Sequence, residues 1–299
     1  MPAGVTMQIE CVLEAAALVG ESPLWSVADE KLWWCDIDGR VVHRFDPRSG
    51  RDEAWPMPAE PGCVALAAEG GLIVALRSGL HHFSPDTGSL TLLVAPDYPQ
   101  ATTRFNDGRC DAGGRFWVGT LYEPRSSPEA VLYTYDGERL VRRAAQLTVA
   151  NGLAFSPDGR TAYLADSPAR RIDCFDVDAI SGKLSRRRCF QQFAPEEGRP
   201  DGAAVDADGN YWIALYAGGA IMQIAPDGMR LRRIRLPVQR PTMLAFGGTA
   251  LDEIYVTSAR AGADAAELAA HPLSGGVLRI RAGIRGRAEP RFVSRKVHA

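Results

Sequence analysis

Two strings put oxygen-bearing side chains where chemistry could be done. They are A-N-G-L-A-F-S-P-D-G-R at residues 150–160 and R-P-D-G-A-A-V-D-A-D-G-N at residues 199–210. In each, a polar residue (Asn151, Asp201) stands directly before a glycine and an apolar run, and a D-G turn follows. Polar residues at matching positions of successive repeats can converge on a shared axis. That is one way to assemble a hard-oxygen cation site from segments far apart in sequence.

The segments that must position them form a repeat: an apolar strand, a turn rich in Gly or Asp, and a second strand with aromatic or β-branched residues. It reads as Ser22–Trp25 with Leu32–Ile37, Val64–Ala68 with Leu72–Leu76, and Gly108–Asp111 with Arg115–Thr120. It continues as Gly152–Ser156 with Thr161–Asp166, Gly202–Asp206 with Asn210–Tyr216, and Thr242–Phe246 with Glu253–Ser258. A third strand follows each hairpin, and the period is roughly 40–50 residues, the range of propeller blades. The turns supply the Gly, Asn and Asp that positive φ requires. Only Ala261–Ala270 has helical character, and it falls in a loop of the last repeat. The expected fold is therefore all-β, a six-bladed β-propeller spanning 1–299 as one domain, with residues 1–7 as a flexible N-terminus. Ring closure needs a latch, and Gln8–Leu13 is placed to pair with the last blade as its outer strand, near Arg291–Ser294.

In such a ring the first strand of each repeat lines the channel, and the residues just before it stand at one mouth. Those positions read Gly20-Glu21-Ser22-Pro23, Arg104-Phe105-Asn106-Asp107-Gly108, Asn151-Gly152 and Arg199-Pro200-Asp201-Gly202. Carboxylate, amide and carboxylate make a hard-oxygen set. Asp107 reads as a structural hydrogen-bond acceptor, and Asp166 as a residue near the channel mouth.

Composition excludes other classes. A net charge of −2, with no long basic block, argues against a dedicated nucleic-acid binder. Arg186–Arg188 reads as a solvated hairpin face. The six cysteines show no C-x-x-C and mostly sit in apolar runs, which reads as buried reduced thiols of a cytoplasmic protein. There is no secretory leader pattern and no apolar run long enough to span a bilayer. His43, His81, His82, His271 and His298 form no ligand set, and the six tryptophans fall on strand positions as inter-blade core. No Gly-x-Ser-x-Gly elbow and no phosphate-binding glycine loop is present.

The strings G-E-S-P-L-W, R-F-N-D-G-R-C-D-A-G-G-R-F-W-V-G-T-L-Y-E, N-G-L-A-F-S-P-D-G-R and R-P-D-G-A-A-V-D, in this order, resemble the SMP-30/gluconolactonase/regucalcin family. The resemblance runs from about Val12 to Pro272–Val277. It implies a six-bladed propeller with one catalytic divalent ion (Ca²⁺, Zn²⁺, Mn²⁺, Mg²⁺ or Fe²⁺) held by Glu21, Asn151 and Asp201. It also implies substrate contacts from Arg104, Asn106 and Glu123, with Leu121 standing where methionine is common. The implied activity is hydrolysis of a sugar-acid lactone such as glucono-, galactono-, arabino- or xylonolactone. A metal acting as Lewis acid, Asp201 as general base and Arg104 beside the oxyanion suit that chemistry. Two alternatives stand beside it: a broader metal-dependent esterase or organophosphate hydrolase, and a non-catalytic interaction scaffold. The expected partner is a small molecule, with no nucleic acid and no membrane; the oligomeric state is not encoded in any motif.

Overall fold

The computed structural model describes residues 7–294. The reading of residues 1–6 lies outside them, as does His298. Six four-stranded antiparallel sheets form a six-bladed β-propeller. The first strands of successive sheets touch one another in a closed ring around the axis. These are Gly20–Ser26, Pro61–Leu66, Thr103–Cys110, Ala150–Phe155, Arg199–Val205 and Pro241–Gly247. Burial falls outward: Gly20–Ser26 is wholly buried, whereas the outer strand Arg51–Pro56 has no buried residue and Arg230–Arg235 is largely exposed. Apolar and aromatic side chains fill the space between neighbouring sheets, with Trp34, Trp117 and Trp212 fully buried among them.

The closing strand is Gln8–Leu13 and it joins the last blade as its outer strand, as the sequence predicts; only its expected nearness to Arg291–Ser294 differs. It pairs with Val277–Arg281 to complete the sixth sheet. Arg291–Ser294 lies elsewhere, because Phe292 finds apolar cover on Tyr135, with ring centroids 5.5 Å apart. The segment 285–293 crosses the hairpin end of the channel. It is fixed by Ala207 N–H donating to Arg285 O (2.8 Å), Gly286 N–H to Leu251 O (2.7 Å) and Val293 N–H to Gly114 O (2.9 Å). Glu289 on this strap pairs with the buried Arg109, whose guanidinium also donates to Leu153 O at 3.0 Å. The opposite end of the channel is the mouth that holds the site.

Two hairpin turns share one device that the sequence reading missed. Asp111 accepts the Gly113 and Arg115 N–H groups and, at 2.7 Å, the Trp117 indole N–H. Asp206 does the same for Asp208, Asn210 and, at 2.9 Å, Trp212. One buried carboxylate thus closes the turn and satisfies the indole that the core would otherwise strand. Asp166 stands near the mouth, beside the pocket-lining Ser167, and accepts the Thr148 and Val149 N–H groups at 3.0 and 3.1 Å. Arg186–Arg188 lies in the outer strand of the fourth sheet and ion-pairs with Asp173 and Asp176.

All six cysteines are free; Cys35, Cys63, Cys110 and Cys174 are buried, and Cys189 is exposed. The single described α-helix, Ala265–Ala270, sits in the expected loop, capped by Asp264. No helix among the described residues is long and apolar enough to cross a membrane.

Candidate active site

Each innermost strand is irregular at the mouth end. The pairing slips between Glu21 and Leu24, Phe105 and Gly108, Asn151 and Ala154, and Pro200 and Ala203. The predicted site residues therefore do not precede the strands; they lie inside them, at bulges. A bulge re-aims side chains that the pleat would otherwise send into the inter-blade core. The glycines beside them follow from this geometry. Gly152 has φ +59°, and a Cβ there would stand 2.5 Å from the Tyr211 hydroxyl and 3.1 Å from Asp201 O. At Gly202 a Cβ would stand 2.3 Å from Met243 Cβ. No side chain fits either position without displacing a neighbouring blade.

Glu21, Arg104, Asn106, Glu123, Asn151 and Asp201 all line one pocket of about 510 Å³. A chain of hydrogen bonds joins four of them. Arg104 Nη1 donates to Asn106 Oδ1 at 2.8 Å, Asn106 Nδ2 to Asn151 Oδ1 at 2.6 Å, and Asn151 Nδ2 to Asp201 Oδ1 at 2.7 Å. Asn106 Nδ2 also donates to Ala150 O at 3.0 Å. Both of its N–H bonds are thus committed, and what it can still offer a ligand is an Oδ1 lone pair. Glu21 is the outlier of the group: its Oε2 accepts only its neighbour's N–H, from Ser22 at 2.8 Å.

The electrostatics are strained in one direction. Glu21 and Asp201 are each 8% exposed, and among the described residues neither is ion-paired. Burial pushes the Glu21 carboxyl well above the ordinary carboxylate range, and the charges of Asp201 and Asp107 add to this. Burial does the same to Asp201, Asp107 adding again, with Arg199, Arg104 and Arg125 opposing. Burial holds Arg104 below the usual arginine range. Asp107 itself is pushed up to about 6, chiefly by burial and against the pull of Arg109. Its Oδ2 accepts Leu153 N–H at 2.8 Å, tying the third blade to the fourth, while its buried Oδ1 has no partner.

This is the donor chemistry of a hard divalent ion: two buried carboxylates lacking a cation, with an amide beside them. Among the described residues no three His, Cys, Asp or Glu side chains cluster to hold a metal, and the neighbouring amide can supply a third side-chain oxygen. Asn151 is the amide at hand: its Oδ1 accepts one hydrogen bond, from Asn106 Nδ2, and keeps a second lone pair for an ion. The residues present fit the ion.

Other mouth residues escaped the sequence reading. They stand at or just after the end of a second strand: Asp38, Arg77, Ser167 and Tyr216, on the pocket wall beside the predicted Glu123. Ser167 accepts from Asn151 Nδ2 at 2.8 Å and donates to Pro200 O at 2.6 Å, bridging the fourth and fifth blades. Arg77 grips Glu123 with both Nη atoms, at 3.1 and 2.6 Å, and Glu60 through Nε at 2.9 Å. The usable signal was positional: polar or aromatic residues within two positions of the end of a second strand.

A family model described as SMP-30/Gluconolactonase/LRE-like region matches residues 19–260. Similar proteins include a 6-deoxy-6-sulfogluconolactonase of Pseudomonas putida, 42% identical over 95% of this chain and 98% of its own length. A regucalcin of Xenopus laevis is 34% identical over 96% of this chain and 99% of its own. The solved structure of a regucalcin from Agrobacterium tumefaciens, described as a calcium-binding protein, shares 28% identity with a TM-score of 0.91, covering 95% of this chain and 96% of that one.

Proposed function

Because the chain belongs to the SMP-30/gluconolactonase/LRE-like family, we propose that it is a divalent-metal-dependent lactonase that opens sugar-acid lactones to aldonic acids. The observation that carries this reading is the meeting of Glu21, Asn151 and Asp201 in the pocket that also holds Arg104 and Asn106. Relatives named for gluconolactone chemistry and for calcium binding support it.

Glu21, Asn151 and Asp201 are the residues that would hold the ion, which when bound supplies a Lewis acid for the lactone carbonyl and lowers the pKa of water. The chain's own groups account for the rest. Water adds to the lactone carbonyl carbon, and Asp201 takes a proton at a carboxylate oxygen. Arg104 has one Nη occupied by Phe105 O and Asn106 Oδ1, at 2.9 and 2.8 Å, and its remaining N–H donors are available to the developing oxyanion or a ring hydroxyl. Asn106 accepts from a substrate hydroxyl through Oδ1. Glu123, held by Arg77, presents a fixed acceptor for another hydroxyl. The ring C–O bond then breaks, its oxygen takes a proton, and the product is the open hydroxy acid.

The test is a panel of neutral aldonolactones, simple butyrolactone, aryl esters and organophosphates, assayed with the metal-loaded enzyme. Higher kcat/KM on hydroxylated lactones than on every other class supports the reading. Better turnover of aryl esters or organophosphates moves the assignment to the broader hydrolase. Inactivity on all of them leaves the scaffold reading.

A further inference from the structure

The charged groups of the pocket divide unevenly. Arg77 is engaged by Glu60 and Glu123. Arg104 gives its Nη1 to Phe105 O and Asn106, and Asp38 is the strongest opposing charge it feels. Arg125 and Arg199 line the same pocket, and among the described residues neither has an ion pair or a side-chain hydrogen bond to an acid. Both are close enough to Asp201 for their charge to offset part of the burial that pushes its carboxyl up.

Arg199 is also fixed in place. Its guanidinium lies over the Tyr216 ring, 5.0 Å from the centroid, and is half-buried. Arg240 lies 5.9 Å from the same ring and is taken by Glu267 at 2.6 and 2.8 Å, so it holds the ring without competing for a ligand. The contact with the ring leaves Arg199 N–H donors for hydrogen bonding. A rigid, uncompensated guanidinium edge on a pocket wall fits a planar or tetrahedral oxyanion. Arg125 stands at the rim in a tight turn, its N–H donating to Tyr122 O at 3.1 Å.

We infer that Arg199, assisted by Arg125, determines substrate specificity by binding an anionic substituent (a carboxylate, phosphate or sulfonate) carried by the lactone away from its reacting carbonyl. The inference rests on the lactonase reading and narrows its substrate class. The reacting carbonyl belongs at Glu21, Asn151 and Asp201 and the ring hydroxyls at Arg104 and Asn106, so the charge belongs on another part of the sugar acid.

The experiment compares kcat/KM on gluconolactone, its 6-phosphate and glucarolactone, with spontaneous hydrolysis subtracted, for wild type, Arg199→Ala, Arg199→Lys and Arg125→Ala. Wild type should prefer the charged lactones by about tenfold or more at low ionic strength, and the preference should shrink as salt rises from about 20 to about 200 mM. The charged-to-neutral ratio should fall about tenfold in Arg199→Ala, mainly through KM, and less in Arg199→Lys, which keeps the charge but loses the fork. A preference for the phosphate over glucarolactone, or the reverse, identifies which anion the edge fits. Turnover of gluconolactone with no preference for either charged lactone, or a preference untouched by Arg199→Ala, overturns the inference and leaves the lactonase reading standing. Turnover of none of the three lactones overturns both.

Discussion

Asp107 gives the sharpest quantitative expectation. Its carboxyl is 5% exposed and its Oδ1 has no partner. It is pushed from 3.8 up to about 6. A carboxyl whose pKa is raised on folding binds its proton more tightly in the folded protein. Its contribution favours folding fully below the unfolded value of 3.8, and that advantage is lost as pH rises through about 6. Above that the buried charge costs about 3 kcal/mol, and between pH 4.5 and pH 8 the change is about 2 kcal/mol. Asp107→Asn removes the titration. The amide oxygen can still accept Leu153 N–H, while its N–H₂ inherits the unpartnered place of Oδ1, a penalty of about 1–3 kcal/mol that does not depend on pH. The absolute stability of the variant therefore has no fixed sign, but its pH slope does. Relative to wild type, Asp107→Asn should gain about 2 kcal/mol between pH 4.5 and pH 8. Relief of Glu21 and Asp201, both of which Asp107 pushes up, works in the same direction. Urea unfolding of chelator-treated protein across that range measures it. A difference that is flat with pH, or a variant that gains on acidification, would refute the buried unpaired carboxylate.

Three other outcomes are expected. Asp201→Asn should fold and lose about 10²–10⁴-fold in turnover on aldonolactones, since it removes a base and weakens the cation site; near-normal kcat in metal-loaded variant contradicts the assignment. Arg104→Ala should narrow the kcat/KM advantage of hydroxylated lactones over butyrolactone while leaving ion affinity, read by calorimetry, within a few-fold. Gly152→Ala should lose about 1–3 kcal/mol of stability in thermal or chemical unfolding, from the positive φ and the encounter with Tyr211 and Asp201; a neutral effect would show that the bulge relaxes easily.

The blade count and the mouth residues were legible because the innermost strands carry their own punctuation. An Asn or Asp before Gly interrupts the apolar run where the chain bulges at Asn151 and Asp201, and Glu21 sits at the matching bulge of the first sheet. The outermost strands were not legible. Arg230–Arg235 exposes five of its six residues, so no alternation of apolar and polar positions marks it as a strand. The wall residues at the ends of the second strands were missed for a different reason. Arg77, Ser167 and Tyr216 are ordinary residue types for a strand end, and their chemistry depends on neighbours from other blades. Ser167, for example, takes its partners from Asn151 and Pro200. The strap was hidden by distance: Arg109 and Glu289 are 180 residues apart. Nothing local distinguished Arg291–Ser294 as cover for Tyr135 rather than as a partner for the closing strand.

The central claim is that Glu21, Asn151 and Asp201 hold one divalent ion that lactone hydrolysis requires. The most direct measurement strips the enzyme with a chelator and follows gluconolactone hydrolysis as Ca²⁺, Mn²⁺, Mg²⁺, Zn²⁺ or Fe²⁺ is added back in substoichiometric steps. The account predicts negligible activity in the stripped protein and, for at least one of these ions, a linear rise that breaks at one equivalent per chain. Full activity in protein shown by elemental analysis to be metal-free would contradict it.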